Sequence, residues 1–213
     1  TVLASNRGNL TVSGVGAGIG SGNMGVRIDN QAAVSTQHAS SVAIFVGTGS
    51  AAGTDYNYGV GVLNNATVDL TGSATVSGLG GGTANAGATN YNAGVVVADG
   101  ATVTLRHSDS TVIGTGGGAN AGLQNFGVFV SAGGLISVTN ATVVGGKVAA
   151  ISGIGSTTST GGNNDGVRVG NVNAAFGQRG GTISVAGGTA GTDSLLLDTT
   201  NSDTASLFAN LKS

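Results

Sequence analysis

Residues 57–78 read Asn-Tyr-Gly-Val-Gly-Val-Leu-Asn-Asn-Ala-Thr-Val-Asp-Leu-Thr-Gly-Ser-Ala-Thr-Val-Ser-Gly. Three short runs alternate apolar and polar residues, about Val60, Val68 and Val76. A period of two means strand with one face buried, and the β-branched content agrees. The opening Asn-x-Gly-Val recurs at Asn23-Met24-Gly25-Val26, Asn92-Ala93-Gly94-Val95, Asn125-Phe126-Gly127-Val128 and Asn164-Asp165-Gly166-Val167. Its glycines are 34, 35, 33 and 39 residues apart. A period in this range is the mark of a solenoid or an array.

Working outward, the first run aligns Val26/Ile28, Val60/Val62, Val95/Val97, Val128/Val130 and Val167/Val169. The second aligns Val34, Val68, Val103 and Ile136, followed two residues later by Thr36, Leu70, Leu105 and Val138. In the fifth copy the matching pair is Ile183 and Val185, displaced by an insertion about Asn171 to Arg179. The third run is centred on Val12, Val42, Val76, Val112 and Val143. Tracts such as 78–90 and 114–124, rich in Gly, Ala, Asn and Thr, read as loops.

Three strands and one long Gly-rich loop per repeat describe a coil of an all-β fold, a parallel β-helix of about five to six coils. Each strand pairs with its counterpart one repeat along, about 4.8 Å away. Asn23, Asn57, Asn92, Asn125 and Asn164 then stack, and a hydrogen-bonded asparagine ladder is expected. The following glycine either takes a conformation closed to other residues or lets the turn pass close to its neighbour.

The chain has 213 residues, 42 of them Gly, with no Pro, Cys or Trp. Glu is absent and Lys occurs only at 147 and 212, which disfavours helix. The 39% apolar content falls with regular periodicity, which argues against disorder. Without cysteine there is neither disulfide nor thiolate metal site. A net charge of −2 without a basic cluster argues against nucleic acid and anionic membranes. No apolar run is long enough to span a bilayer.

One domain, 1–213, is expected: an incomplete first coil over 1–22, repeats over 23–193, and a terminal strand over 194–213 ending in a short capping helix. Leu10-Thr11-Val12-Ser13-Gly14 matches the third run, so the chain starts in mid-coil. Ser194 to Asp198 reads as a last buried strand. Asp203 as N-cap, with Leu207, Phe208 and Leu211, suits the helix.

The succession Gly-Val-x-Val, Ala-Thr-Val-x-Leu, Ala-Thr-Val-x-Gly and a Gly-rich loop, best over 59–82 and 94–118, resembles pertactin-type autotransporter passengers and haemagglutinin-like β-helix surface adhesins. The resemblance covers roughly residues 9 to 190. It implies a right-handed helix, export across a bacterial envelope, an extracellular location at the cell surface, and a role in attachment or cell–cell contact. The implied partner is a host or bacterial surface glycan or protein, or copies of the chain itself.

Chemistry-bearing constellations are few. Gly161 to Val167 loosely echoes a calcium-binding nonapeptide but occurs once, and true sites share ligands between consecutive copies. Arg106-His107-Ser108-Asp109 is the densest polar cluster; His107 with Asp109 could form an acid/base couple, but an exposed turn is the favoured reading, with His38 in an equivalent turn. Polysaccharide-cleaving β-helix enzymes need paired carboxylates on one face, whereas Asp69 aligns with Ser35, Thr104 and Ser137, and Arg27 and Arg168 are separated by Gly61, Val96 and Phe129. Neither a catalytic role nor a cofactor is expected. A Thr row (Thr11, Thr75, Thr111, Thr142, with Ser41) raises ice binding, but its companion row (Ser13, Ala43, Ser77, Ile113, Val144) is irregular. Tyr56, Tyr58, Tyr91, Phe126 and Phe129 cluster near the Asn turn. They either contact a partner or cover loops packed back on the helix, the second being favoured. The reading that results is an extracellular structural or adhesive β-helix. An end-to-end fibre or matrix subunit is the alternative; an ice-binding solenoid and a polysaccharide-degrading enzyme rank lower.

Overall fold

The computed structural model describes the backbone of residues 1–142, 149–170, 182–186, 195–200 and 211–212, and the side chains of 1–139 and 149–170. The described residues form strands and turns, without a helix. Strands from the Asn-x-Gly-Val runs build sheet 1: β3 (Val26–Ile28), β6 (Val60–Val62), β9 (Val95–Val97), β12 (Val128–Val130) and β15 (Val167–Val169). The second runs build sheet 2: β1 (Val2–Ser5), β4 (Ala33–Thr36), β7 (Thr67–Leu70), β10 (Thr102–His107), β13 (Leu135–Thr142), β16 (Thr182–Ala186) and β18 (Leu211–Lys212). The third runs build sheet 3: β2 (Leu10–Val15), β5 (Val42–Thr48), β8 (Ser73–Leu79), β11 (Thr111–Thr115), β14 (Ala149–Ile154) and β17 (Leu195–Thr200). All pairing is parallel, each strand bonding its counterpart one coil away, so the chain is a three-sided parallel β-solenoid.

The registers of the first two runs hold residue by residue. Val26, Val60, Val95, Val128 and Val167 form one column of sheet 1. Val34, Val68, Val103, Ile136 and Ile183 form one column of sheet 2, and Thr36, Leu70, Leu105, Val138 and Val185 the next. Arg27, Gly61, Val96, Phe129 and Arg168 share an outward column, and Asp69 lies between Ser35 and Thr104.

The third run needs correction. Its inward column is Val12, Phe45, Val76, Val112 and Ile151. Val42 pairs with Ser73 and points outward, while Val143 lies outside the described residues. The corner between sheets 2 and 3 varies in length, and an alternating strand shifted by one residue exchanges its two faces. In β5 both phases carry aliphatic residues: Ala43 and Phe45 are buried, whereas Val42 and Val46 are exposed. The Thr row is accordingly Thr11, Ile44, Thr75, Thr111 and Ala150. Ser41 is buried before β5, and Thr142 pairs with His107 in sheet 2. The companion row is Ser13, Val46, Ser77, Ile113 and Ser152.

The core is one continuous cluster of valines, with Phe45, Leu70, Leu105, Ile136 and Ile151. Burying such a side chain contributes roughly 1.5–3 kcal/mol. The three walls meet closely. A Cβ on Gly14, Gly47, Gly78, Gly114 or Gly153, all in sheet 3, would overlap the carbonyl of the repeat glycine, Gly25, Gly59, Gly94, Gly127 or Gly166 respectively. The repeat glycine is therefore present for close approach of two backbones, not for a left-handed conformation.

At the other end, β17 covers most of the strand expected over 194–198. Leu211 belongs to β18, and the rest of the helix expected over 203–211 lies outside the described residues, as does the insertion about 171–179.

Candidate functional site

The most regular constellation is the asparagine column at the corner entering sheet 1. The backbone N–H of Asn23 donates to Oδ1 of Asn57, Asn57 to Asn92, Asn92 to Asn125 and Asn125 to Asn164, each at 2.9 Å. Asn23 and Asn57 also donate their Nδ2 to the same oxygen at 3.1 Å. Asn92 and Asn125 turn Nδ2 instead to the carbonyls of Thr54 and Thr89. The main-chain carbonyls of Asn23, Asn57, Asn92 and Asn125 accept from Ser50, Gly81, Gly117 and Ser156, where the Gly-rich segments begin. Asn57, Asn92 and Asn125 are fully buried. One residue type thus bonds the coil ahead, the loop beside it and its own turn.

Each of these asparagines follows a residue with positive φ: Gly22 (77°), Tyr56 (58°), Tyr91 (56°), Gln124 (62°) and Asn163 (59°). The left-handed conformation costs a residue with a Cβ roughly 1–2 kcal/mol. For Tyr it is a genuine outlier. A second set stands at the corner between sheets 1 and 2, at Asn30-Gln31, Asn64-Asn65, Asp99-Gly100 and Ala132-Gly133. Neither set was anticipated. The second had a signal, an Asn, Asp or Gly recurring four to five residues after the repeat valine. The first had none, because Tyr and Gln do not advertise that conformation.

The five aromatic residues divide. Phe126 and Phe129 are buried, 4.7 Å apart, in a cluster with Leu63, Ala93, Val96 and Ala98 outside sheet 1. Their burial removes them as partner contacts and fits the covering role. Tyr58 packs against that cluster. Tyr56 stacks on Tyr91 with ring centroids 4.9 Å apart and planes within 3°, and meets Tyr58 edge-on at 6.5 Å. Tyr56 keeps 45% of its surface exposed. Burial raises the pKa of Tyr58, with the charges of Tyr56, Asp99 and Tyr91 adding to it. Burial likewise raises Tyr56, followed by Tyr91 and Asp55.

The polar clusters serve turns and surface pairs. The backbone N–H of Asp109 donates to Nδ1 of His107 at 3.1 Å, and that of Ser40 to Nδ1 of His38 at 3.2 Å. Both histidines therefore brace the corner between sheets 2 and 3 in the same way. Arg106 forms a bidentate pair with Asp69 across strands at 2.6 and 2.8 Å, which raises the guanidinium pKa through that hydrogen bond first. Arg27 pairs with Asp29, and Arg168 with the buried carboxylate of Asp165 at 3.1 Å. Asp165, in the calcium-like segment, is thus held by a cation of the protein itself. Among the described residues, no three His or Asp side chains converge as metal ligands. None of the described elements is a helix long and apolar enough to cross a membrane.

Sheet 3 presents a different surface. Its outward rows are Thr11, Ile44, Thr75, Thr111 and Ala150; Ser13, Val46, Ser77, Ile113 and Ser152; and Val15, Thr48, Leu79, Thr115 and Ile154. From β2 to β14 none of the three carries a charged residue, whereas β17 continues the second row with Asp198 beside Ser152; Val15, Val46, Leu79, Ile113 and Ile154 are exposed.

No family model, no curated protein and no solved structure matches this chain.

Proposed function

We propose that the chain is a non-catalytic structural and adhesive module that works outside the cell at a bacterial surface. The observation that carries this reading is the outer face of sheet 3, uncharged over three successive rows from β2 to β14 and held at strand spacing by the stacked coils. Such a face makes contacts; from β2 to β14 it presents hydroxyls and aliphatic side chains without a carboxylate or imidazole. The carboxylates elsewhere support the same reading. Asp69, Asp29 and Asp165 each face an arginine rather than a second carboxylate, so the paired geometry that sugar cleavage uses is not assembled by them. The export and attachment implied by the resemblance to autotransporter passengers agree with it.

The test is retention. Beads carrying the chain are offered glycan-coated surfaces, bacterial cells and host cells, and the supernatant is assayed for released sugar. Retention without release is expected. Release of sugar, or no retention on any surface, contradicts the proposal.

A second reading, an end-to-end fibre subunit, draws support from β1, β2 and β3. They are the edge strands of their sheets and border a cavity of about 340 Å³ lined by Leu3, Val12, Val26, Ile28, Val34 and Phe45. The same edges would receive further coils of a longer chain. Solution size against concentration separates the readings: constant size favours the adhesive module, and growing rods favour the fibre.

A further inference from the structure

Tyr56 sits in a column whose occupants change from coil to coil. The backbone N–H groups of Gly22, Tyr56, Tyr91 and Gln124 donate to the carbonyls of Asp55, Asn90, Leu123 and Gly162, the same step each time. Gly22, Tyr56, Tyr91, Gln124 and Asn163 are therefore equivalent positions, and all share the left-handed backbone. One face of the Tyr56 ring is stacked on Tyr91. The other is turned toward the preceding coil, where the equivalent residue is Gly22. A Cβ built on Gly22 meets nothing within 4 Å. The column of side chains thus ends at Tyr56, which keeps 45% of its surface exposed.

The surroundings define what fits there. Tyr58 stands edge-on to Tyr56 and fixes its tilt. Ser21 and Thr54, whose hydroxyls are 3.0 Å apart, and Asp55 are neighbours in sequence of Gly22 and Tyr56 and supply hydroxyls and a carboxylate. Asp55 is itself held, its Oδ1 accepting from the backbone N–H of Asn90 at 2.6 Å. No Lys or Arg occurs in segments 18–25, 52–58 or 88–94, which form this corner. An aromatic face carries negative charge density and attracts weakly positive C–H groups.

We infer that the open face of Tyr56, beside Gly22, is a stacking subsite for a pyranose ring of a neutral oligosaccharide. The sugar's C–H face lies on the ring, and its hydroxyls meet Ser21 and Thr54. The absence of cations, with Asp55 adjacent, disfavours uronic and sialic acids. This inference rests on the adhesive reading and names a ligand class for it.

The chain has three tyrosines and no tryptophan, and Tyr56, Tyr58 and Tyr91 are all in this cluster, so its near-ultraviolet signal reports the site. The experiment titrates the whole chain with cellohexaose and maltohexaose, and with a hyaluronan hexasaccharide as the acidic control, reading tyrosine emission and near-ultraviolet circular dichroism. A saturable change is expected with at least one neutral oligosaccharide and none with the acidic one. Gly22→Tyr extends the stack into the slot and should weaken binding at least tenfold. Tyr56→Asn removes the ring while keeping a residue suited to the backbone, as Asn163 shows at the equivalent place; isothermal calorimetry should read the same loss. No response to either neutral sugar, a response to the acidic one alone, or unchanged affinity in folded Tyr56→Asn overturns the inference. Bead retention by the parent chain without a calorimetric response to either neutral sugar leaves the adhesive reading standing and removes this subsite; absence of retention by the parent chain removes the adhesive reading itself.

Discussion

Asn57 donates both its backbone N–H and its side-chain Nδ2 to one oxygen, Oδ1 of Asn92 in the next coil, at 2.9 and 3.1 Å. Both residues are fully buried. A buried amide without a partner costs about 1–3 kcal/mol, so this shared acceptor satisfies two groups that water cannot reach. The backbone N–H to Oδ1 bond recurs between successive coils along the corner. It fixes the axial register, and the valine columns follow from it.

The inward column of sheet 2 gives the first expectation. Val68 is 2% exposed between Val34 and Val103. Val68→Asp places a carboxylate among apolar side chains and should destabilise by several kcal/mol, about 2–7 on small-group transfer scales. Val42→Asp, on the outer face of sheet 3, should be nearly neutral. Urea unfolding of the two variants checks the assignment of faces.

The glycine contacts between sheets 1 and 3 give the second. A Cβ on Gly94 would overlap the backbone of Gly78 and Thr115. Gly94→Ala must displace backbone rather than a side chain, and a loss of about 2 kcal/mol or more is expected. Gly20→Ala, where a Cβ meets nothing within 4 Å, should change stability by less than about 0.5 kcal/mol. Thermal melts of both variants decide the matter.

Much of this was legible in the sequence. The period, the strand count per coil and the columns through Val60, Val68 and Val103 follow from alternation, since a strand buried on one side must repeat every second residue. The third run was misread at β5 because Val42, Ile44 and Val46 form an apolar alternation as regular as that of Ala43 and Phe45. Only the length of the preceding corner, set by the turn from His38 to Ser41, selects the phase. Of the candidate site, the asparagines were visible because their offset from Gly-Val never slips. The stacked Tyr56 and Tyr91 were visible as a cluster, but not the opening beside Gly22, which depends on which side chain the preceding coil lacks.

The surface ion pair of sheet 2 should contribute little. Asp69 and Arg106 have well-formed bidentate geometry, yet both side chains are substantially exposed, at 46% and 40%. Exposed pairs are worth about 0.2–1 kcal/mol and weaken with salt. Asp69→Asn should lower stability by less than about 1 kcal/mol at low ionic strength, and the difference should shrink in 1 M NaCl. Denaturant titrations at the two salt concentrations measure it.

Tyrosine ionisation should order the three rings. Burial raises the pKa of Tyr58 well above its usual value near 10. A phenol whose folded pKa exceeds its unfolded one stabilises the fold below the unfolded value, and that contribution is lost as pH rises through the folded one. Stability should therefore fall above about pH 10, and Tyr58→Phe should flatten the decline. Ultraviolet titration of the parent and Tyr58→Phe chains should assign the last phenolate to appear to Tyr58.

The central claim is that the repeated asparagine is a structural staple between coils, and not merely a residue suited to turns. The most direct test compares urea unfolding of Asn92→Ala and Asn85→Ala. Asn92 accepts from Asn57 and donates to Asn125 and Thr54 inside the corner. Asn85 bonds loop carbonyls near the surface, at 3.2 and 3.3 Å. Asn92→Ala should cost about 1–3 kcal/mol by leaving buried donors without an acceptor, and Asn85→Ala should cost less than about 0.5 kcal/mol. Equal losses in the two variants would contradict the claim.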